Sequence, residues 1–193
     1  MTRAAFNFLR SARPRAYGLF SIIPLPYPKA FCSVNMLEIA GGAAAGDLDG
    51  DGWDDLYVTR VGAPDHLFGN KDDGTFEDMA EQAGLSEFLL HSNGVAIGDI
   101  DNDGDLDIFL TTVGQEGESI INTRYYLFIN NEFGVFREAA LERGAALNIS
   151  RAHIGYSATF GDYDLDGEFR VSLSQSTTAK SCPGSTIIFS RHD

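Results

Sequence analysis

Short apolar runs alternate with acidic, glycine-containing stretches through most of this chain. After residue 38, apolar residues, many of them β-branched or aromatic, recur in runs of two to five, at 56–58, 67–68, 108–110 and 125–129. Such runs, bounded by glycine, asparagine and aspartate, are typical of short β-strands. The pattern predicts roughly four short strands in each 50 to 60 residues, and therefore an all-β protein.

The chain also repeats itself. Acidic loops begin at Asp47, Asp99 and Asp162, and residues 67–84 align without gaps with residues 127–144, where Leu, Phe, Asn, Gly, Phe, Ala and Gly recur in place. A unit of this size cannot bury both faces of its sheet alone, and radial stacking of four-stranded blades solves that problem. We therefore predict a partial β-propeller in an open arc, with two complete blades and part of a third. The predicted units are 42–93, 94–154 and 155–169, within a repeat region at 38–169.

Small residues precede each acidic loop, at 42–46, 94–98 and 157–161. They fit innermost strands that are crowded around a propeller axis. A phosphate-binding glycine loop is the alternative interpretation of the first stretch, but no Gly-Lys-Ser/Thr follows it.

Each acidic loop follows a nine-residue pattern. Carboxylates stand at positions 1, 3, 5 and 9 of the first two loops, with glycine at position 6 and a main-chain carbonyl available at position 7. Calcium takes six to eight oxygen ligands, and glycine allows the sharp turn that such a loop needs. Two carboxylates about 4 Å apart repel by roughly 4 kcal/mol at an effective dielectric of about 20, so these loops require a cation.

Two other interpretations of the loops are less consistent with the sequence. An EF-hand needs a glutamate at position 12 and flanking helices, but position 12 holds Val58, Leu110 and Leu173, and strand-forming residues follow each loop. Solvated acidic turns would not be expected to give two full matches and one partial match at the same internal offsets.

The chain is acidic, with a formal net charge of -14 and a pI near 4.5. The three loops hold five, five and four of its 28 acidic residues, so the acidity is largely that of the loops. This charge argues against nucleic acid and against an anionic membrane surface as partners. At 193 residues and 44% hydrophobic content, the chain is long enough for one domain with a core.

The two ends differ from the repeat region. Residues 1–37 contain arginine and lysine but no acidic residue, and their apolar run is short and interrupted by prolines, so it does not span a membrane. We interpret this segment as a poorly ordered basic leader, with a degenerate secretory signal and an organellar presequence as alternatives. Residues 170–193 form a divergent Ser/Thr-rich tail. Cys32 and Cys182 lie in these segments, either as two free thiols or as one disulfide, and they leave the compartment open.

These motifs resemble FG-GAP (VCBS) repeats, the calcium-loop blades of integrin α-chain propellers. The run from Leu67 to Gly84 resembles more narrowly the repeats of cartilage acidic proteins and their bacterial ASPIC/UnbV-type relatives. The resemblance implies calcium ligands at matching positions, with main-chain carbonyls at Trp53 and Asp105. The implied carboxylate ligands are Asp47, Asp49, Asp51, Asp55, Asp99, Asp101, Asp103, Asp107, Asp162, Asp164 and Asp166.

The chain departs from this family in two respects. Integrin-type propellers close with seven blades, whereas this sequence holds two units and the start of a third, which we interpret as a truncated member. Position 9 of the third loop is Arg170, a cation beside a cation site, so we expect weak binding there.

The sequence favours a non-catalytic protein. Its four histidines are scattered without zinc-ligand spacing, and no nucleophile elbow, His-Glu-x-x-His or paired-carboxylate pocket is found. We expect a Ca²⁺-binding interaction or scaffolding module outside the cell or at its surface, with a matrix or cell-surface protein as partner and self-association through open blade edges. An accessory part of a larger enzyme and a structural remnant are the alternatives.

Overall fold

A computed structural model describes residues 41–114, 124–131, 134–147, 153–163, 165, 170–177 and 184–189. Within them the chain forms eleven strands and no helix, and hence no helix that is long and apolar enough to cross a membrane. The strands are β1 Ala43–Gly46, β2 Asp55–Val58, β3 His66–Asn70, β4 Phe76–Asp78, β5 Ser92–Gly98, β6 Asp107–Gly114, β7 Tyr126–Asn130, β8 Phe136–Glu138, β9 His153–Gly161, β10 Arg170–Thr177 and β11 Gly184–Phe189.

The first two repeats form four-stranded antiparallel meanders. Strands β1 to β4 pair in chain order and make the first blade, and strands β5 to β8 do the same in the second blade. Equivalent residues pair in both: Leu56 faces Phe68 in the first blade, and Ile108 faces Phe128 in the second. Neither sheet closes on itself within the described residues. The predicted all-β, open, propeller-type fold is therefore confirmed.

The third unit consists of β9, β10 and β11, which pair antiparallel in that order. Its last two strands come from the segment that the sequence analysis set apart as a divergent tail. The unit is also joined to the second blade, because Ile154 and His153 of β9 pair with Val113 and Gly114 at the end of β6. This junction forms because β6 has eight residues and extends beyond its partners, which exposes a free edge that β9 pairs with. The 1–37 leader, Cys32 and Cys182 lie outside the described residues.

Two apolar cores lie on opposite sides of the second blade. The first core joins Tyr57 and Leu67 of the first blade to Ile108 and Phe128 of the second. The other core joins the opposite face of the second blade to the third unit. It contains Phe109, Leu127, Ile129, Val171 and Leu173 among others. All eight residues of β6 are buried as a result, which is the burial that radial stacking of blades requires.

The innermost strands approach one another closely, as their small residues predict. A Cβ atom at Gly42 would lie 2.6 Å from the Asn93 carbonyl oxygen, and one at Gly94 would collide with the backbone of Tyr156. Asn93 connects the three units here, because its Oδ1 accepts from the Gly41 N–H at 2.9 Å and its Nδ2 donates to the Gly155 carbonyl at 2.6 Å. These contacts lie at the beginnings of β1, β5 and β9 and join the three units there.

Candidate metal centres

The loop between β1 and β2 is wrapped around its own carboxylates. Asp47 accepts hydrogen bonds from the N–H groups of Gly50 and Gly52, at 2.9 and 3.0 Å, and Asp49 accepts from the Asp51 N–H at 3.2 Å. Gly50 and Gly52 have φ angles of 76° and 95°, in the left-handed region that favours glycine. The backbone is therefore turned so that the first carboxylate lies inside the loop.

The loop between β5 and β6 is also wrapped around its first carboxylate. Asp99 accepts from the N–H groups of Asp103 and Gly104, both at 3.1 Å. Positions 4 and 6 are again left-handed, with φ 57° at Asn102 and 101° at Gly104. Asparagine tolerates left-handed φ angles better than most other non-glycine residues. The backbone conformation at position 4 therefore favours the asparagine found there.

The ninth residue of each loop is a buried aspartate held by two backbone donors. Asp55 is 1% exposed and accepts from the N–H groups of Leu48 at 3.0 Å and Asn70 at 2.9 Å. A carboxylate has about four lone-pair sites, so each oxygen keeps one for a further ligand. This aspartate, the first residue of β2, therefore joins the loop to the end of β3.

Asp107 repeats this arrangement in the second blade. It is fully buried and accepts from the N–H groups of Ile100 at 2.8 Å and Asn130 at 2.9 Å. The Asn70 and Asn130 side chains donate to the carbonyl of the eighth loop residue, Asp54 or Leu106. Sequence reasoning assigned no role to these two asparagines, although their recurrence in Leu-Phe-x-Asn was the signal that marked them.

Three of the carboxylates in each loop come together. One oxygen from each member of a group lies within 4.8 Å of one oxygen from each of the others. Asp51 and Asp103 at position 5 are outside these groups, are exposed, and accept from the N–H two residues further on, at 2.9 and 3.0 Å. The ligand roles of position 5 and of the position-7 carbonyls stay predictions. The two groups are Asp47, Asp49 and Asp55, and Asp99, Asp101 and Asp107.

The electrostatics of these groups favour a cation. Burial raises the pKa of Asp107 to about 7, with a further increase from the nearby Asp101 and Asp103 carboxylates and opposing backbone hydrogen bonds. In the first loop, burial and then the Asp55 carboxylate raise the pKa of Asp49. A bound divalent cation would offset both effects, because it favours the ionised carboxylate.

The second loop also contains an acceptor that matches a metal ligand. Within the described part of the chain, Asp101 Oδ1 is buried and has no hydrogen-bond partner, while its Oδ2 accepts from Arg143 Nη2 at 2.9 Å. The donor set is all oxygen, as hard cations prefer. The residues present therefore fit a calcium ion, with Asp99, Asp101 and Asp107 as the side chains that would hold it.

Comparison with known families agrees with this loop and strand pattern. The family model of the FG-GAP-like repeat matches residues 44–110, which run from β1 to β6 and include both complete loops. Residues 44–110 are thus similar to an FG-GAP-like repeat. Proteins of this kind are generally non-catalytic.

Three similar proteins share the name cartilage acidic protein 1. The one from Xenopus tropicalis is 34% identical over 87 residues, 45% of this chain and 13% of its own length. The human protein is 36% identical over 67 residues, 35% of this chain and 10% of its own length. The mouse protein is 31% identical over 87 residues, 45% of this chain and 14% of its own length. The chain thus aligns with a small part of each relative.

The third loop keeps part of the turn that the first two loops form. Leu165 at position 4 has φ 60°, as Asn102 does in the second loop, and it is 87% exposed. Asp162 is half-buried, and Asp164 and Asp166 lie outside the described residues. Arg170 at position 9 starts β10, with its guanidinium carbon 5.2 Å from the centre of the Tyr163 ring.

A cluster of polar side chains also lies on the first blade, away from the acidic loops. His66 contacts Asp78 through Nδ1, and its Nε2 lies 3.1 Å from Arg60 Nη1. An open cavity adjoins this cluster on the first blade. Neither carboxylate group among the described residues includes a histidine.

Proposed function

We propose that this chain is a calcium-binding FG-GAP-like repeat module that acts in protein interaction or scaffolding outside the cell or at its surface. The observation that carries the calcium proposal is the pair of equivalent carboxylate groups, at positions 1, 3 and 9 of two loops with matching backbone geometry. Solvated acidic turns do not account for a buried, doubly hydrogen-bonded aspartate at position 9 of both loops.

Calcium fits these loops better than magnesium does. Calcium accepts six to eight oxygens in flexible geometry at about 2.3–2.6 Å, whereas magnesium needs near-octahedral geometry at about 2.0–2.1 Å and keeps several waters. Three carboxylates that converge from a nine-residue turn make a flexible and carboxylate-rich site.

The ion would have a structural effect within each blade. Each loop joins the innermost strand to the second strand, so fixing positions 1, 3 and 9 fixes where the two strands meet. Binding to the folded state alone adds RT ln(1 + [L]/Kd) to stability, about 1.4 kcal/mol when calcium is tenfold above Kd. Millimolar calcium, as found outside cells, suits low-affinity sites of extracellular modules.

The interaction role is supported by the repeat type and by the relatives. FG-GAP-like repeats often mediate protein interactions. The relatives are named for cartilage, and this chain shares the acidic character in their name through its net charge of -14. Because the same charge opposes nucleic acid and anionic lipid, we propose a protein of the extracellular matrix or the cell surface as the partner.

Calorimetric titration of the metal-free protein with calcium tests ion binding. We expect a stoichiometry near two, with loss of one site in Asp49→Asn and of the other in Asp101→Asn. Native mass spectrometry counts the bound ions independently. Absence of both heat and bound calcium would refute the calcium proposal, and a third site of equal affinity would refute the expected effect of Arg170.

Surface binding to purified matrix and cell-surface proteins tests the interaction role. We expect saturable binding that needs calcium and that is lost in the Asp49→Asn, Asp101→Asn double variant. Arg137→Ala serves as a matched control. Arg137 lies on β8 and forms an exposed ion pair with Glu142, so its loss removes a charge without touching either loop. Binding that is independent of calcium and unchanged in the double variant would contradict a calcium-organised interaction surface.

A further inference from the structure

The side chain of Asn130 contacts both acidic loops. Its Nδ2 donates to the Leu48 carbonyl of the first loop at 2.8 Å and to the Leu106 carbonyl of the second loop at 3.2 Å. Its backbone N–H donates to Asp107 of the second carboxylate group at 2.9 Å. We propose that Asn130 is a positioning residue that couples the two ion sites, so that filling one site raises the affinity of the other. This inference rests on the proposed calcium binding.

The contact with the first loop falls between two of its clustered carboxylates. Leu48 separates Asp47 from Asp49, so the orientation of its carbonyl is tied to the backbone that carries both groups. The Leu48 N–H in turn donates to Asp55, the third member of the same group. The peptide groups on both sides of Leu48 therefore take part in the contacts that hold the first site in shape.

A second contact supports the same connection. The turn between β7 and β8 lies against the first loop, where a Cβ atom at Gly134 would be 3.1 Å from the Asp49 Cβ and 3.4 Å from the Leu48 carbonyl oxygen. Gly134 has φ 73°, a backbone conformation that favours glycine. The second blade thus touches the first loop at two points, through Asn130 and through this turn.

Asn70 is the equivalent residue in the first blade and provides the comparison. Its backbone N–H donates to Asp55 and its Nδ2 to the Asp54 carbonyl, both within its own blade. Asn70 is half-buried, whereas Asn130 is 3% exposed at the boundary between the blades. The two asparagines therefore share the contacts within a blade, and Asn130 adds the contact between blades.

Coupling follows from the cost of ordering the loops. An ion in the second site holds Asp107 in its ionised, ligating position, and Asp107 fixes the end of β7 through the Asn130 N–H. The Asn130 side chain is then fixed against the Leu48 carbonyl, so part of the ordering of the first loop precedes the arrival of its ion. By linkage the effect is reciprocal, and coupling of this kind is commonly about fivefold or more in affinity.

Terbium luminescence measures the first site separately. Trp53 is the single tryptophan of the chain, and it lies at position 7 of the first loop. Terbium, a trivalent ion that occupies calcium sites, emits when an excited tryptophan nearby transfers energy to it. Loss of this emission in Asp49→Asn verifies that the signal comes from the first loop.

The experiment is a double-mutant cycle in the full chain. Asp99→Asn disables the second site, and we expect it to weaken terbium binding at the first site about fivefold in the wild-type background. In an Asn130→Ala background, which keeps the backbone N–H and loses Nδ2, the same substitution should have no further effect. In an Asn70→Ala background, Asp99→Asn should still weaken terbium binding at the first site about fivefold. Asn130→Val, whose side chain suits a strand, replaces Asn130→Ala if circular dichroism shows that the alanine variant is unfolded.

Each outcome of the cycle has one meaning. Equal affinity at the first site with and without Asp99→Asn would overturn the coupling. A fivefold effect that persists in the Asn130 variant would overturn the role of Asn130. Calorimetric binding of two ions with no dependence of one on the other would leave the proposed function standing and refute this inference alone. Absence of terbium and calcium binding in the wild-type chain would refute both.

Discussion

The buried Asp107 carboxylate predicts that the metal-free protein is less stable at neutral pH than at mildly acidic pH. Its pKa is raised from the ordinary 3.8 to about 7, chiefly by burial. Between about pH 4 and 7 the folded protein therefore keeps a proton that the unfolded chain releases. Because the unfolded state binds fewer protons across this range, the free energy of unfolding falls as pH rises. Asp107→Asn should remove this dependence.

The expected magnitude follows from the pKa difference. One pKa unit corresponds to about 1.4 kcal/mol, so a group with values near 4 in the unfolded chain and near 7 in the folded protein changes stability by roughly 2 kcal/mol between about pH 5 and pH 7.5. Asp103→Asn should reduce this change, because the Asp103 carboxylate contributes to the raised pKa. Saturating calcium should also reduce it, since the ion favours the ionised form.

Urea unfolding at the two pH values measures this effect, with calcium removed by a chelating resin and then restored in a parallel series. Asp107→Asn also disturbs the hydrogen bonds from Ile100 and Asn130, which lowers stability at both pH values alike. The decisive quantity is therefore the difference between the two pH values in each variant. A wild-type protein that is more stable at about pH 7.5 than at about pH 5 without calcium would refute the reasoning, as would an unchanged difference in Asp107→Asn.

Three further predictions concern the loops and the blade faces. Asp49→Asn should abolish the stability that calcium adds through the first loop, about 1.4 kcal/mol at tenfold excess over Kd. Asp51→Asn should lower this added stability less, because Asp51 lies outside the carboxylate group. Thermal melting with calcium and with chelator measures the effect of each variant. Leu165→Asn should raise stability by about 1 kcal/mol by relieving a positive φ, as in the second loop, and an unchanged melting temperature would contradict this. Val58 lies on the outer face of the first blade and is half-buried, whereas its equivalent in the second blade, Leu110, is covered by the first blade. We expect concentration-dependent self-association in light scattering that Val58→Lys reduces; a monomer at all concentrations would contradict an exposed blade face.

Local features of this protein were predictable because local sequence determines them. The positive φ angles at Gly52 and Gly104 follow from the need for a sharp turn inside a nine-residue acidic loop, and glycine marks both positions. The strands at 56–58 and 108–110 follow from β-branched and aromatic residues directly after the loops. Recurrence of the loops at intervals of 50 to 65 residues then indicated stacked blades, because a single unit cannot cover its own apolar faces.

Other features depend on residues that are distant in the chain. The identical carboxylates of a loop differ in the structure: Asp107 is buried and has a raised pKa, while Asp103 stays exposed. Asp107 is held by the Asn130 N–H, which lies 23 positions away in the chain. The pairing of β9 with the end of β6 depends on how far β6 extends beyond its partners, which no local pattern encodes.

The sequence by itself determined the strands of the first two blades, the two complete acidic loops and their repeat, because turn geometry and strand propensity act over a few residues. Only the tertiary structure decided which three carboxylates of each loop converge, and that Asn130 reaches Leu48, 82 positions earlier in the chain. The physical reason is that a hydrogen bond requires two groups within about 3 Å, and the stacking of whole blades is what brings such distant groups together.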